Sequence, residues 1–311
     1  MSLSQLPRLV RALTCEPLAV ERGFLNAFVG VIRRRSVEGI SFNGPELHAE
    51  LDVAPPPATI RSGPRKGQVD SGARNIAVIP IVGAISNRAQ SMGVGTDEIG
   101  AAVDAAVASP RVDAIVLDVD SPGGMITGVP ELAEKVYQAR RVKPVAAVAN
   151  GLMASAGYWI GAAAGEVVVV PSGEAGSIGV YLLHEDWTAA LDQEGVRVTE
   201  ISAGRYKTEG APWKPMDEEA ETFLRARVEE AYNWFVRDVA RFRNATQEAV
   251  RNGYGEGRVL TADAAVKAGL ADRIGTLEET VARLASGAKA RRGAQVGAEV
   301  EFRQRTRARG A

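Results

Sequence analysis

With 311 residues, 46% of them hydrophobic and 24% charged, the chain has ordinary globular composition and enough length to bury one large core or two small ones. Lys plus Arg (37) nearly balances Asp plus Glu (38), which excludes a net field strong enough to mark nucleic acid or an acidic surface as the partner. A single cysteine, Cys15, excludes an intramolecular disulfide and a multi-cysteine zinc site and fits a reducing compartment.

In chain order, Arg8, Arg11, Glu16, Glu21 and Arg22 interrupt every early apolar run before it reaches the ~20 residues a bilayer needs. A basic start, uninterrupted apolar stretch and small-residue cleavage site do not occur in the order of a secretory signal, so the expected location is the cytoplasm. Residues 1–74 read as a weakly organised leader. Short apolar pieces such as Leu25 to Ile32 give way to Pro55, Pro56 and Pro57, and then to a linker rich in Gly, Arg and Lys from Arg61 to Gly72. Cys15 has no partner motif there and reads as an incidental thiol.

A catalytic domain is expected from residue 75 to 284. Ile76 to Val82 is a continuous apolar run, as in a strand buried on both faces. A helical pattern from about Asp97 to Ala108 ends at Ser109 and Pro110, and a second buried strand, Ala114 to Asp120, runs into Ser121-Pro-Gly-Gly124. Val129 to Arg141 reads as helix, Pro144 to Val148 as strand, Ser155 to Ala164 as helix and Glu166 to Val170 as strand. The alternation predicts an α/β fold with a parallel sheet and crossover helices. A further strand and helix are expected after Val180. Val196 to Ile201 then reads as a strand leading to Gly204-Arg-Tyr-Lys207, and a long helix follows Pro215. Asp217, Glu218 and Glu219 load its first turn, and Phe223, Val228, Ala231, Phe235, Val239 and Phe242 form an apolar stripe that suits a core or an interface. Residues 285–311 carry Lys289, Arg291, Arg292, Arg303, Arg305, Arg307 and Arg309 against Glu299 and Glu301. They read as a disordered basic tail, the one place where an acidic partner or nucleic acid would dock.

The chain has two histidines, His48 in the leader and His184 beside Glu185 and Asp186, and neither has the setting of a base in a Ser-His-Asp arrangement. A two-histidine metal motif is absent, and no metal or organic cofactor is called for. A serine can instead be activated by a lysine whose ammonium is desolvated. Lys207, flanked by glycines after the expected strand, is the candidate, although a solvated lysine would look the same. Ser155 lies at a strand-to-helix transition among small residues, where helix N–H groups can face an oxyanion; an N-cap serine without catalysis would also sit there. Gly123 and Gly124 offer backbone N–H groups without side chains in the way.

The order of these pieces is more specific than any one of them. The run Asp118-Val-Asp-Ser-Pro-Gly-Gly124, the turn Met153-Ala-Ser-Ala-Gly-Tyr-Trp159, Gly176-Ser-Ile-Gly-Val180 and Tyr206-Lys207 together resemble the signal peptide peptidase A family, over about residues 74 to 280. The resemblance implies a Clp protease/crotonase-like fold. It also implies Ser155 as nucleophile, Lys207 as base, Gly124 and Ala156 as oxyanion donors with Gly123 beside them, and Ser177 as a hydroxyl orienting the lysine. The Ser155 to Lys207 spacing suits the short, single-repeat form of that family, which assembles rings. The leader, the basic tail and the lack of an anchor resemble its phage capsid-assembly branch, whose substrates are scaffold, portal or capsid proteins in the host cytoplasm or the procapsid. The alternatives are a soluble signal-peptide-type peptidase, a crotonase-type acyl-CoA enzyme and a non-catalytic capsid component.

Overall fold

The computed structural model describes residues 17–21, 75–88 and 93–286. The core is a mainly parallel sheet in the order β10-β9-β7-β5-β2. It comprises β2 (Asn75–Val82), β5 (Val112–Ser121), β7 (Val145–Ala154), β9 (Glu174–Gly176) and β10 (Val259–Thr261). Alternate residues of β5 serve opposite faces. Ile115, Leu117 and Val119 join the main core, whereas Val116 packs with Val148 and Val168 under Leu277, Val281 and Leu284 of the last described helix, 277–286. Burial on both faces is why these strands read as unbroken apolar runs. Pro80 lies inside β2, which is the edge strand and can spare a ladder donor.

The helices α1 (Thr96–Ala108) and α2 (Val129–Val142) follow the boundaries expected from their patterns. A smaller sheet, in the order β1-β6-β3-β4, stands beside the main one. Its strands are β1 (Leu18–Val20), β3 (Ala84–Ser86), β4 (Gly93–Gly95) and β6 (Gly123–Met125). β1 lies in the stretch read as a weakly organised leader, within which Leu18–Val20 is a strand. Cys15, His48 and residues 287–311 of the basic tail lie outside the described residues.

β7 decides where the site forms. Its first half, Ala146 to Ala149, pairs with β8 (Glu166–Val169), and its last residues, Leu152 to Ala154, pair instead with β9. Between them Gly151 adopts φ 141°, and a Cβ there would lie 2.7 Å from a carboxylate oxygen of Asp120, which accepts the Leu152 N–H at 3.1 Å. The sheet therefore forks at Asn150 and Gly151, and the diverging half of β7 carries the chain to Ser155.

After β9 an isolated bridge at Tyr181 and the short helix α4 (Thr188–Gln193) stand where a strand and helix were expected. Val196 to Ile201 forms no strand: it has the apolar alternation of one but no sheet edge to join, and Ile201 is 97% exposed. The long helix is α5 (Glu218–Arg243), capped by the Asp217 carboxylate accepting the Ala220 N–H at 2.8 Å. Its stripe divides. Ala231, Phe235, Val239 and Phe242 enter the core, whereas Phe223 is exposed. The helix α6 (Gln247–Gly253), β10, the helix α7 (Ala262–Ala268) and β11 (Arg273–Ile274), which pairs with β8, complete the fold.

One ion pair ties the end of α5 to the sheet. Arg243 donates to both carboxylate oxygens of Asp272, at 2.9 and 2.8 Å, and Asp272 also accepts the Val167 N–H of β8 at 2.7 Å. Burial works to raise the Asp272 carboxyl, but the Arg243 and Val167 hydrogen bonds and the Arg243 charge outweigh it and hold the pKa below its ordinary value. A depressed carboxyl contributes stability above the unfolded pKa and loses it as pH falls through the folded one, so the loss occurs in acid, below about pH 4. Asp272→Asn is expected to cost about 2 kcal/mol at neutral pH, roughly 5 °C in melting temperature for a domain of this size. The variant should also show a shallower acid decline than wild type when thermal melts followed by circular dichroism are compared between pH 7 and pH 3.

Candidate active site

Ser155 stands between the end of β7 and the start of the helix α3 (Ala156–Ala162), at the strand-to-helix junction expected from the sequence. Its backbone is strained, with φ 54° and ψ −118°, a conformation that L residues rarely occupy and that persists only where surrounding structure imposes it. The imposing contacts are visible. The Ser155 N–H donates to Gly176 O at 2.8 Å, its carbonyl accepts the Trp159 N–H at 2.9 Å, and every residue of α3 is buried. The helix is anchored by the Tyr158 hydroxyl donating to Leu270 O at 2.9 Å and by Trp159. The indole of Trp159 stacks on Phe235 at 4.3 Å and donates to the buried Asp238 at 3.2 Å. Burial pushes the Tyr158 phenol well above its ordinary pKa, so it acts as a fixed hydrogen-bond donor.

The Ser155 hydroxyl is fully buried and has no hydrogen-bond partner. It makes no capping bond to α3, which removes the N-cap explanation of this serine. A buried, unpartnered hydroxyl on a strained residue is costly as architecture and is what a nucleophile awaiting a substrate requires.

The glycine turn closes on this point. A Cβ on Gly123, whose φ is 96°, would lie 2.9 Å from both the Ser155 Cβ and the Ala156 N, so only glycine fits. Gly124 is equally confined, since a Cβ there would meet Ile85 O at 1.9 Å. The two glycines differ in their donors. The Gly123 N–H donates to Ser121 Oγ at 3.1 Å, while the Ser121 hydroxyl donates to Gly83 O at 2.7 Å. In this structure the Gly123 N–H is thus engaged within its own turn. Ser121, fully buried, is a positioning residue that the sequence reading took only as part of the turn; the signal lay in its place between a buried strand and a double glycine.

Ser177 follows Gly176, the residue that accepts the Ser155 N–H, and it too has a positive φ, 56°. Lys207 makes no hydrogen bond to the Ser155 hydroxyl. It lies exposed in a turn, its N–H donating to Gly204 O at 3.1 Å. The buried strand expected to hold it does not form. Its loop is nonetheless ordered: Glu200 accepts from Thr208, Trp213 and Lys214 at 2.9, 2.6 and 3.1 Å, and Glu219 accepts from Arg205 and Tyr206 at 2.9 and 2.8 Å. The segment presents Ile201, Val196, Val198, Tyr206 and Trp213 to solvent. His184 is partly buried with an unpartnered Nε2, so the neighbouring polar groups expected to satisfy it leave that nitrogen free. Among the described residues no group of three or more His, Cys, Asp or Glu side chains could hold a metal ion, and no helix is long and apolar enough to cross a membrane.

The profile of peptidase family S49 matches residues 138–291. Capsid assembly protease C of Escherichia phage lambda is 29% identical over 88% of the chain and 64% of its own length, and head-tail preconnector protein GP5 of Enterobacteria phage P21 is 28% identical over 90% and 57%. A putative protease of Synechocystis is 30% identical over 66% of the chain and 72% of its own length. The chain thus spans less than two thirds of the length of either phage relative.

Proposed function

The chain belongs to peptidase family S49, and from that premise we propose that it is a serine endopeptidase that processes scaffold, portal or capsid polypeptides during phage head maturation. The work would be done by residues 75–284, in the host cytoplasm or the procapsid, with residues 1–74 as leader and 285–311 as tail. The observation that carries the reading is the strained Ser155 with its buried, unpartnered hydroxyl beside a double-glycine turn. Ser155 Oγ attacks a peptide carbonyl and forms an acyl-enzyme, while the N–H groups of Gly124 and Ala156 receive the developing oxyanion. Lys207 takes the serine proton, oriented by the Ser177 hydroxyl, and gives it to the amine that departs as the peptide C–N bond breaks; water then hydrolyses the acyl ester and frees Ser155.

Within a single chain Lys207 is exposed and makes no hydrogen bond to the Ser155 hydroxyl. The apolar residues on its loop, with Phe223 on the free half of α5, make a surface suited to a second copy, so we propose a homo-oligomeric ring in which packing on this surface carries Lys207 to a Ser155. The assignment is tested with a fluorophosphonate, which phosphonylates an activated serine hydroxyl with loss of fluoride. Mass spectrometry of the digested protein is expected to find the adduct on Ser155 and not on Ser121 or Ser177; labelling of another serine, or of none, would reject Ser155 as nucleophile.

A further inference from the structure

β1 is separated from the rest of the described fold by residues 22–74, yet it is among its most buried pieces: Leu18, Ala19 and Val20 are 2%, 0% and 6% exposed. It is hydrogen-bonded on both edges. On one side it runs antiparallel to β6, with Ala19 opposite Gly124 and Val20 opposite Gly123, and the Glu21 N–H donates to Pro122 O at 2.6 Å. On the other, Leu18 and Tyr181 exchange two hydrogen bonds, at 2.8 and 3.1 Å. Alternation along an antiparallel strand then turns the Ala19 carbonyl toward β6. The position follows directly: Ala19 O lies 2.3 Å from the point a Gly123 Cβ would occupy, the same point that is 2.9 Å from Ser155 Cβ and from Ala156 N. The Ala19 carbonyl oxygen therefore lies within about 5 Å of both the Ser155 Cβ and the Ala156 N, on the same side of the Gly123 turn.

An extended segment inserted between two strand edges, with one carbonyl near a nucleophile, is bound as a peptide would be bound by strand addition. We infer that Pro17–Glu21 is a built-in occupant of the groove between β6 and residues 178–181, and that a polypeptide acted on in trans enters this groove antiparallel to β6 only after Pro17–Glu21 leaves it. The meaning given to the groove rests on Ser155 being the reacting group; the occupancy does not. The hold on the segment is local. Leu18 and Val20 form a small cluster with Met125 and Tyr181, separate from the main core, and Ala19, whose side chain is a single methyl, is the one residue of the strand that joins that core.

The test uses the full chain carrying Ser155→Ala, with and without Leu18→Asp and Val20→Asp, and a fluorescein-labelled synthetic peptide of residues 16–23. Fluorescence anisotropy is expected to show at least tenfold tighter binding to the chain with the two aspartates, its fold verified by circular dichroism. Equal affinities, or no binding to either, would overturn the inference. A second variant guards against misfolding: Leu18→Cys with Met125→Cys, in a Cys15→Ser chain, locks β1 to β6 by a disulfide between paired positions. Oxidised, it should cleave casein at least tenfold more slowly than after reduction, and equal rates would overturn the inference. If reduced and wild-type chains both leave casein intact while the peptide binds only the opened chain, the peptidase reading fails and the occupied groove stands.

Discussion

Replacing Ser155 by alanine is expected to lower casein hydrolysis by roughly four orders of magnitude or more, the scale seen when a covalent nucleophile is removed, while the melting temperature stays within about 1 °C of wild type, since the buried hydroxyl has no hydrogen bond to lose. The two halves of this prediction have one cause. The hydroxyl makes no hydrogen bond in the folded chain, so its removal deletes no stabilising contact, and alanine fills the same buried space less one atom. A serine serving as a helix cap would behave oppositely, losing about 1 kcal/mol of stability on the same change and leaving turnover intact. Ser155→Gly extends the argument. Glycine tolerates φ 54° without the Cβ strain, so it should stabilise the fold by about 1 kcal/mol while abolishing hydrolysis. Casein assays beside thermal melts of the three proteins decide the matter, and an alanine variant with near wild-type turnover would reject the assignment.

Lys207→Ala is expected to lower the rate by about a thousandfold, the middle of the range for losing a positioned general base, with little change in melting temperature because the side chain is exposed in the single chain. Lys207→Arg should not rescue it, since a guanidinium does not give up its proton and cannot act as a base. The lack of a hydrogen bond from Lys207 to the Ser155 hydroxyl within a chain adds a sharper test. If the pair is completed across copies, mixing the inactive Ser155→Ala and Lys207→Ala chains should restore a measurable fraction of wild-type casein hydrolysis. No recovery in a mixture shown by sedimentation to contain mixed oligomers would mean that the lysine acts within its own chain after its loop moves. A Lys207→Ala chain that keeps wild-type turnover would remove Lys207 from the mechanism.

What the sequence by itself determined about this protein is what local pattern encodes. The apolar runs of β2, β5 and β7, the periodicity of α1, α2 and α5, and the small residues around a strand-to-helix junction at Ser155 were legible because burial on one or two faces imposes a period on neighbouring residues. The resemblance carried by motif order added expectations for Gly124, Ala156, Ser177 and Lys207. What only the tertiary structure decided is every feature that depends on which distant edge is available. Leu18–Val20 has three residues and no period of its own, and it is a strand because β6 and Tyr181 offer it two edges. Val196–Ile201 has the pattern of a strand and is none, because no edge receives it. Gly123 and Gly124 are alike in sequence, and only the fold brings Ser121 Oγ to accept the N–H of the first. A backbone hydrogen bond is a pairing between two places in the chain, and one place alone does not specify its partner.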